Sequence, residues 1–471
     1  MNILVGLVRN KLVALILGPD GMGLISLFNS ATGLVGSATN LGIGASGVKN
    51  ISETFEKGDK AATEHTIAMI RSWAMLTAVL GTVVCALASP LLHHFTFSWG
   101  DHSLHFLLLS PVVGLTAITG GELAVLKGTR ELRRLAIISV FNALTMLLLS
   151  VPLYWWLGQR GIVPSLVLAA LAQMLVTVAY SWRLHPLRLS ASRKLLGEGL
   201  GMVRLGIAFV LAGILGSLAD LLIRSFLNVT ASLDMVGLYN AGFMMTMAYA
   251  GMVFSALETD YYPRLSAVNT DVAASNMTIN RQIEVSLLLV SPMLVALMTC
   301  MPILLPMLYS GKFLPVMGMV QITLLEIYFR AVKMPVSYLP LAKGDSLSFL
   351  LLEALYDVME VVLVVWGFRT RGLMGAGIAL TVTGIIEWLM VWGWCSYKYH
   401  YRPTMSIMRY LALQLSVGLL AFGVTQLLTG WQFWVAGIML TAVSAVVSIV
   451  ILHRKTSLWN KLRKKVLRLK G

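Results

Sequence analysis

The stretch EIYFRAVKMPVSYLPLAKGDSLSFLLLEALYDVME, residues 326–360, decides the fold. Glu326, Arg330 and Lys333 fall at i, i+4 and i+7 of one apolar segment, and Glu353, Asp357 and Glu360 repeat that spacing in the next. Residues so spaced share one face of a helix. An ionised side chain at a bilayer centre costs about 3 kcal/mol on insertion scales, so it turns toward a bundle interior or a watery cavity. The stretch predicts two membrane helices whose polar faces point inward, in a chain with many such helices.

The composition agrees. The 471 residues are 57% hydrophobic and 12% charged, with mean hydropathy +0.80. A soluble globular chain carries about 25% charged residues. At about 20 residues per span plus short loops, the length predicts an all-α polytopic membrane protein of about 14 transmembrane helices. Cys85, Cys300 and Cys395 lie far apart in apolar segments without CxxC spacing. They read as small core residues, neither a disulfide framework nor a metal site.

The net charge of +15 raises nucleic acid as a partner, and its distribution excludes that reading. With the N-terminus inside, Lys and Arg collect on the segments of that side and are scarce on the other. This positive-inside bias predicts both termini in the cytoplasm. The tail HRKTSLWNKLRKKVLRLKG, 453–471, carries eight Lys and Arg, which suit topology and attraction to anionic membrane lipids. The opening MNILVGLVRNKLVALILGP has no small-residue cleavage site after its apolar run and reads as a first span. That span is only about 15 residues long; either residues precede this start, which is preferred, or the helix is tilted and partly lines a cavity.

Every loop is short, the longest being 47–66, 183–200, 258–282 and, outside, 91–104, and no soluble domain fits. The basic segment 183–200 divides the chain. It separates an N-terminal six-helix lobe at 1–182 from a C-terminal six-helix lobe at 201–397, with two accessory helices within 398–452 and the tail at 453–471. A weak internal echo accompanies this division. Arg9 precedes a turn and Gly23-Leu24, and Arg224 precedes a turn and Gly237-Leu238. Repeats with a site at their interface are a recurrent transporter design.

Motifs with other spellings lose to plainer readings. GIGASG at 42–47 closes an apolar span without the strand before it and the helix after it that a dinucleotide fingerprint requires, so it reads as packing glycine. His93, His94, His102 and His105 with Asp101 read as an interfacial patch rather than a metal site. No P-loop, large outside loop or intramembrane histidine with a polar partner supports an enzyme, and no catalytic residue is assigned. Glu122 and Glu387 read as lone intramembrane carboxylates.

Depth sorts the opening charges. Lys333 and Arg330 lie about 13 and 18 Å from the cytoplasmic end of their span, and Asp357 and Glu360 about 12 and 17 Å from that end of theirs. Lys333 then pairs with Asp357 and Arg330 with Glu360, leaving Glu326 unpaired. Two alternatives stand: structural salt bridges, or a cationic cavity for an anionic substrate with carboxylates that exchange with it. Asp220 and Arg224, at i and i+4, are spaced to pair within their own helix.

VRNKLVALILGPDGMGLISLFNSATGL at 8–34, LYNAGF at 238–243, TDYYPRLS at 259–266 and LAKGD at 341–345 resemble polysaccharide transporters. These are the O-antigen (Wzx-type) flippases of the multidrug/oligosaccharidyl-lipid/polysaccharide (MOP) exporter superfamily. The resemblance spans nearly the whole chain. It implies two six-helix lobes around a V-shaped cavity, two accessory helices, and alternating access. It implies carriage of an undecaprenyl-diphosphate-linked oligosaccharide from the cytoplasmic to the periplasmic leaflet of the bacterial inner membrane. Gly6-Leu7-Val8-Arg9 matches the GxVR stretch whose arginine lines the cavity in related lipid II flippases, so Arg9 is carried over. A second arginine of those relatives falls on an aliphatic position near Leu15 and is not.

The expected substrate-binding cations are thus Arg9, Arg224, Arg330 and Lys333. Glu326, Glu353, Asp357, Glu360 and Asp220 are expected to couple to an ion or pair with those cations. No cofactor or metal is expected; a proton or sodium ion is the coupling candidate. A polysaccharide polymerase and a chain-length regulator are the candidate protein partners. The alternatives are a cation-coupled multidrug exporter of the same fold and a non-transporting membrane component of a polysaccharide assembly complex.

Overall fold

In the computed structural model, which describes residues 2–186, 193–248, 251, 254 and 261–455, every regular element is helical. The chain is an all-α polytopic membrane protein. Residues 187–192 of the basic linker 183–200, most of the tail 453–471 and the start of TDYYPRLS lie outside the described residues. Fifteen α-helices are described. They are α1 Asn2–Thr39, α2 Ile43–Glu56, α3 Lys60–Leu87, α4 Ser89–Thr96, α5 Ser103–Gly128, α6 Leu132–Leu157, α7 Ile162–Leu184 and α8 Arg193–Thr230. There follow α9 Leu233–Phe243, α10 Val272–Leu308, α11 Met317–Thr323, α12 Glu326–Ala342, α13 Ser346–Tyr399, α14 Met405–Leu427 and α15 Gly430–Lys455.

Among the described residues eight segments are long and apolar enough to cross a membrane, and nine if α11 and α12, bent by 50° at Leu324–Leu325, form one broken span. Three of the long helical stretches are broken within their length. Gly18, with φ 68 and ψ −172 and followed by Pro19, breaks α1; the proline ring removes a donor and clashes with the preceding turn. The segment 132–184 is α6 and α7 joined at Gly158–Gly161. The 54-residue α13 is broken at Arg371 and Gly372. A Cβ placed on Gly367 would lie 2.3 Å from the Gly375 carbonyl oxygen. In a continuous helix those residues would be about 12 Å apart, so α13 is a hairpin.

Two loops differ from expectation. The second span ends at Thr39, and Gly42, with φ 70, turns the chain into a separate helix, α2. Gly47 of GIGASG then packs on Ile70 and Ala124, as a packing glycine should. The outside loop expected at 91–104 is helical through Thr96, because Pro90 sits in the first turn of α4, where its missing N–H is no loss.

The described chain forms two compact units, Met1–Asn240 with Pro306–Phe313, and Ala241–Leu305 with Leu314–Gly471. In the first, α5 packs on α3 through small residues. A Cβ on Gly114 would lie 2.3 Å from Thr82 Oγ1, and one on Gly121 2.6 Å from Ala74 Cβ. Lipid offers no hydrophobic drive for helix pairing, so close backbone approach supplies the dispersion contact instead. In the second unit, Gln414 of α14 donates to Ser448 Oγ at 2.9 Å and accepts from Ser444 Oγ at 2.7 Å, tying α14 to α15.

Candidate functional site

The first unit holds a cavity of ≈440 Å3 beside the second half of α1 and α5, lined by Asn29, Thr32, Ser37, Asn40, Thr77 and Thr116 with glycine backbone between them. Among the described residues no ionisable side chain lines it. The hydroxyls of Thr32, Thr77 and Thr116 donate to carbonyls of their own helices, at 2.8 Å to Phe28, 3.1 Å to Ala74 and 2.9 Å to Val113. That leaves their oxygen lone pairs as acceptors. The Asn29 carboxamide is exposed and makes no hydrogen bond to another described residue. The cavity presents acceptors and amides to a polyhydroxylated ligand.

The four expected cations fare differently. Arg9 is half-buried on α1 and donates Nε to Ser150 Oγ at 3.1 Å; it meets no carboxylate among the described residues. Its neighbour Lys11 donates to the Pro306 carbonyl at 2.6 Å. Arg224 is 5% exposed. It donates to Ser26 Oγ at 2.8 Å, to Asp220 Oδ1 at 2.5 Å and to Asn240 Oδ1 at 3.4 Å. Its guanidinium is spent on joining α1, α8 and α9, and the Asp220 pair is the i, i+4 pair the spacing allows.

In the second unit the expected depth pairs do not form. Lys333 pairs with Glu387 on the far arm of the α13 hairpin, with 14% and 7% of the side chains exposed. Glu387 is therefore not the lone carboxylate the sequence suggested. Lys333 Nζ also lies 5.7 Å from the Tyr356 ring centre. Arg330 donates to Met247 Sδ at 3.2 Å and hydrogen-bonds no carboxylate among the described residues, although its charge acts on Glu326 and Glu353. Asp357 and Glu360, each 8% exposed, and half-buried Glu353 form one face of α13. Leu351, Leu355, Val358 and Val362 form its exposed face.

Glu326 opens α12 at the 50° bend and is 5% exposed. Its Oε2 has no hydrogen-bond partner among the described residues. A Cβ on Gly384 would lie 2.4 Å from Glu326 Cγ, so only glycine there admits this carboxylate. A buried carboxylate with one free oxygen is suited to hold a proton or a small cation.

Glu122, also read as lone, is paired. Arg71 grips it through Nε at 2.9 Å and Nη2 at 3.0 Å, while Ser181 Oγ and Trp182 Nε1 donate to it at 2.6 and 2.9 Å. Sequence reasoning does not single out Arg71. Its depth in the third span, which matches that of Glu122 in the fourth, was the available signal.

The histidines make an aromatic patch. His102 stacks on Phe97 with ring centres 4.1 Å apart, and its Nδ1 lies 3.3 Å from that of His105. Burial, then the neighbouring His105 and His93, push the His102 imidazole down to about 4. Among the described residues no group of three or more His, Cys, Asp or Glu is placed to hold a metal ion.

With this geometry in place, comparison with known proteins is informative. The model of the family described as "Polysaccharide biosynthesis protein" matches residues 12–318. No curated protein sequence matches the chain. Among solved structures, the chain is similar to "Lipid II flippase MurJ, inward closed conformation", at 12% identity over 96% of this chain and 97% of that one, with a TM-score of 0.72. It is also similar to an inward-facing multidrug resistance MATE family transporter of the MOP superfamily, at 16% identity over 87% and 95% of the two chains, with a TM-score of 0.71. An outward-facing MATE family transporter of that superfamily matches at 16% identity over 87% and 93%, with a TM-score of 0.60. These likenesses show the fold.

Proposed function

The chain belongs to the polysaccharide biosynthesis protein family, and we propose that it is a flippase for a lipid-linked oligosaccharide. It carries an undecaprenyl-diphosphate-linked repeat unit from the cytoplasmic to the periplasmic leaflet of the bacterial inner membrane, with both of its own termini cytoplasmic. The observation that carries this reading is the ≈440 Å3 cavity of the first unit, lined by hydroxyls, amides, bare backbone and four aliphatic side chains, with no ionisable group among the described residues. Sugar hydroxyls find both donors and acceptors there. Arg9 in the first unit and Arg330 in the second each hydrogen-bond no carboxylate among the described residues, which leaves each free to make charge-assisted hydrogen bonds to a diphosphate. Lys333 and Arg224 act through their ion pairs and hold helices in place. Glu326 is the group we assign to coupling with a proton or sodium ion. A cation-coupled drug exporter would want a carboxylate in the first-unit cavity, and none lines it among the described residues.

The test is translocation of a fluorescent lipid-linked oligosaccharide by the purified protein in proteoliposomes, paired with surface glycan in a flippase-deficient strain at matched protein levels. Arg9→Ala and Arg330→Ala should each lower the rate tenfold or more, and Arg9→Lys should recover part of it. Asn29→Leu should slow a long oligosaccharide more than a monosaccharide. Unchanged glycan and rate in both arginine variants would sink the reading.

A further inference from the structure

The turn between α13 and α14 is clamped to the start of α10 by two amides one helical turn apart. Asn276 donates Nδ2 to the His400 carbonyl at 3.1 Å. Asn280 donates to the Arg402 carbonyl at 3.0 Å and accepts from the Tyr401 hydroxyl at 2.9 Å. Asn280 and Tyr401 are 6% and 2% exposed, so that half of the clamp is buried and satisfied, while the Asn276 bond lies at its exposed edge. His400, with φ 58 and ψ 35, ends the helix in the left-handed conformation and aims the chain at α10.

The clamp fixes Arg402 by its backbone and Arg281 by its place beside Asn280. Both arginines line one cavity of ≈630 Å3, floored by Val285 and Leu288 of α10 and Ile451 and Leu452 of α15. Neither guanidinium has a hydrogen-bond or ion-pair partner among the described residues. Glu284, which shares the wall, already has an interaction of its own. The apolar floor runs outward to Ile449 and Val450, which are 64% and 42% exposed on the flank of α15. Two free arginines above an apolar slot at the ends of three membrane helices match a phosphodiester above acyl chains. Basic pockets between helices at the cytoplasmic face recognise such headgroups, and guanidinium grips phosphate oxygens in pairs.

We infer that this cavity binds the headgroup of an anionic membrane phospholipid, with the phosphate held by Arg281 and Arg402 and the acyl chains lying along α15 toward the bilayer. The inference takes its cytoplasmic sidedness from the positive-inside pattern and nothing from the transported substrate. It places a lipid at the joint between α10 and the last two helices, apart from the first-unit cavity and from Glu326.

The full chain, in nanodiscs of phosphatidylglycerol or of phosphatidylcholine, is extracted and weighed by native mass spectrometry. The work is done at about 0.5 M salt, where diffuse attraction to the basic tail is screened. The wild type should retain phosphatidylglycerol and not phosphatidylcholine. Arg281→Gln with Arg402→Gln should lower retention about tenfold, Arg281→Lys with Arg402→Lys should lose less, and Arg371→Gln should lose nothing. A melting temperature for each variant separates lost binding from lost folding. Equal retention of both lipids, or full retention in the double glutamine variant, would overturn the inference. So would displacement of the lipid by equimolar inorganic phosphate or by the lipid-linked substrate. Lipid retention is read without any substrate, so a failure of the flippase reading leaves this result standing, and the reverse also holds.

Discussion

At Glu122 the bilayer dictates the chemistry of a single side chain. Arg71 and Glu122 are 3% and 4% exposed and bidentate, and Ser181 and Trp182 fill the remaining acceptor sites. Arg71 spends a further N–H on the Pro186 carbonyl at 3.1 Å. Removing one partner of such a pair leaves an uncompensated buried charge, which costs about 3–5 kcal/mol, whereas replacing both with apolar groups is often neutral. Glu122→Ala should therefore lower the melting temperature of the detergent-purified protein sharply. Arg71→Met with Glu122→Leu should recover most of the loss. A double variant no more stable than Glu122→Ala would mean that the arginine is needed for itself. The sequence displayed both charges but not their partnership, because they are 51 residues apart and on different helices. The Lys333 partner escaped for a related reason. Depth matching considered only the adjacent arm of a hairpin whose other arm carries Glu387.

At the scale of the element, α13 is a hairpin sealed at its open end by Asp345. That carboxylate caps Ser348 N at 3.1 Å and accepts from Ser348 Oγ at 2.8 Å, from the Tyr399 hydroxyl at 2.6 Å and from Lys398 Nζ at 2.5 Å. One side chain of the LAKGD motif thus joins residues 345 and 399, the two ends of the helical pair. Burial alone would raise its titration, but the hydrogen bonds from Lys398, Tyr399 and Ser348 outweigh burial and hold it below the usual carboxylate range. A carboxylate titrating lower in the folded than in the unfolded state stabilises the fold above about pH 4. That contribution is lost as pH falls through the folded value. Asp345→Asn should therefore be less stable than wild type by a constant margin above about pH 5. The margin should shrink as the medium is made more acidic than about pH 4. Melting curves across that range check it, and a margin independent of pH would remove the charge from the account. Aspartate before a serine and an apolar run is a readable N-cap. Its reach to Tyr399 is not readable, since that depends on the chain reversing at Gly372.

Over the whole chain, the faint echo between its halves becomes geometry. Positions 214 residues apart correspond, and Ser26 donates to Asn240 Oδ1 at 3.0 Å across that separation. A Cβ on Gly237 would lie 1.9 Å from the Pro19 carbonyl oxygen, and one on Gly23 2.2 Å from that of Leu233. Pro19 stands to Leu233 as Gly23 does to Gly237, so the two contacts are reciprocal, as across a local two-fold axis. Arg224 donates to both Ser26 and Asn240 and locks the pair. The sequence carried this as two Gly-Leu pairs, each following an arginine. What it lacked was the reason for the glycines, which is that each copy's backbone sits where the other's Cβ would be. Gly237→Ala should then cost about 1–3 kcal/mol from overpacking. Gly213→Ala, whose Cβ would meet nothing within 4 Å, should be neutral or stabilising, since alanine favours a helix by about 1 kcal/mol. Gly23→Ala with Gly237→Ala should cost less than the sum of the two single changes, because one separation of the helices relieves both clashes. Melting temperatures of the four proteins decide it. Strict additivity of the two glycine changes would show that the contacts are independent and that the two-fold relation has no energetic content.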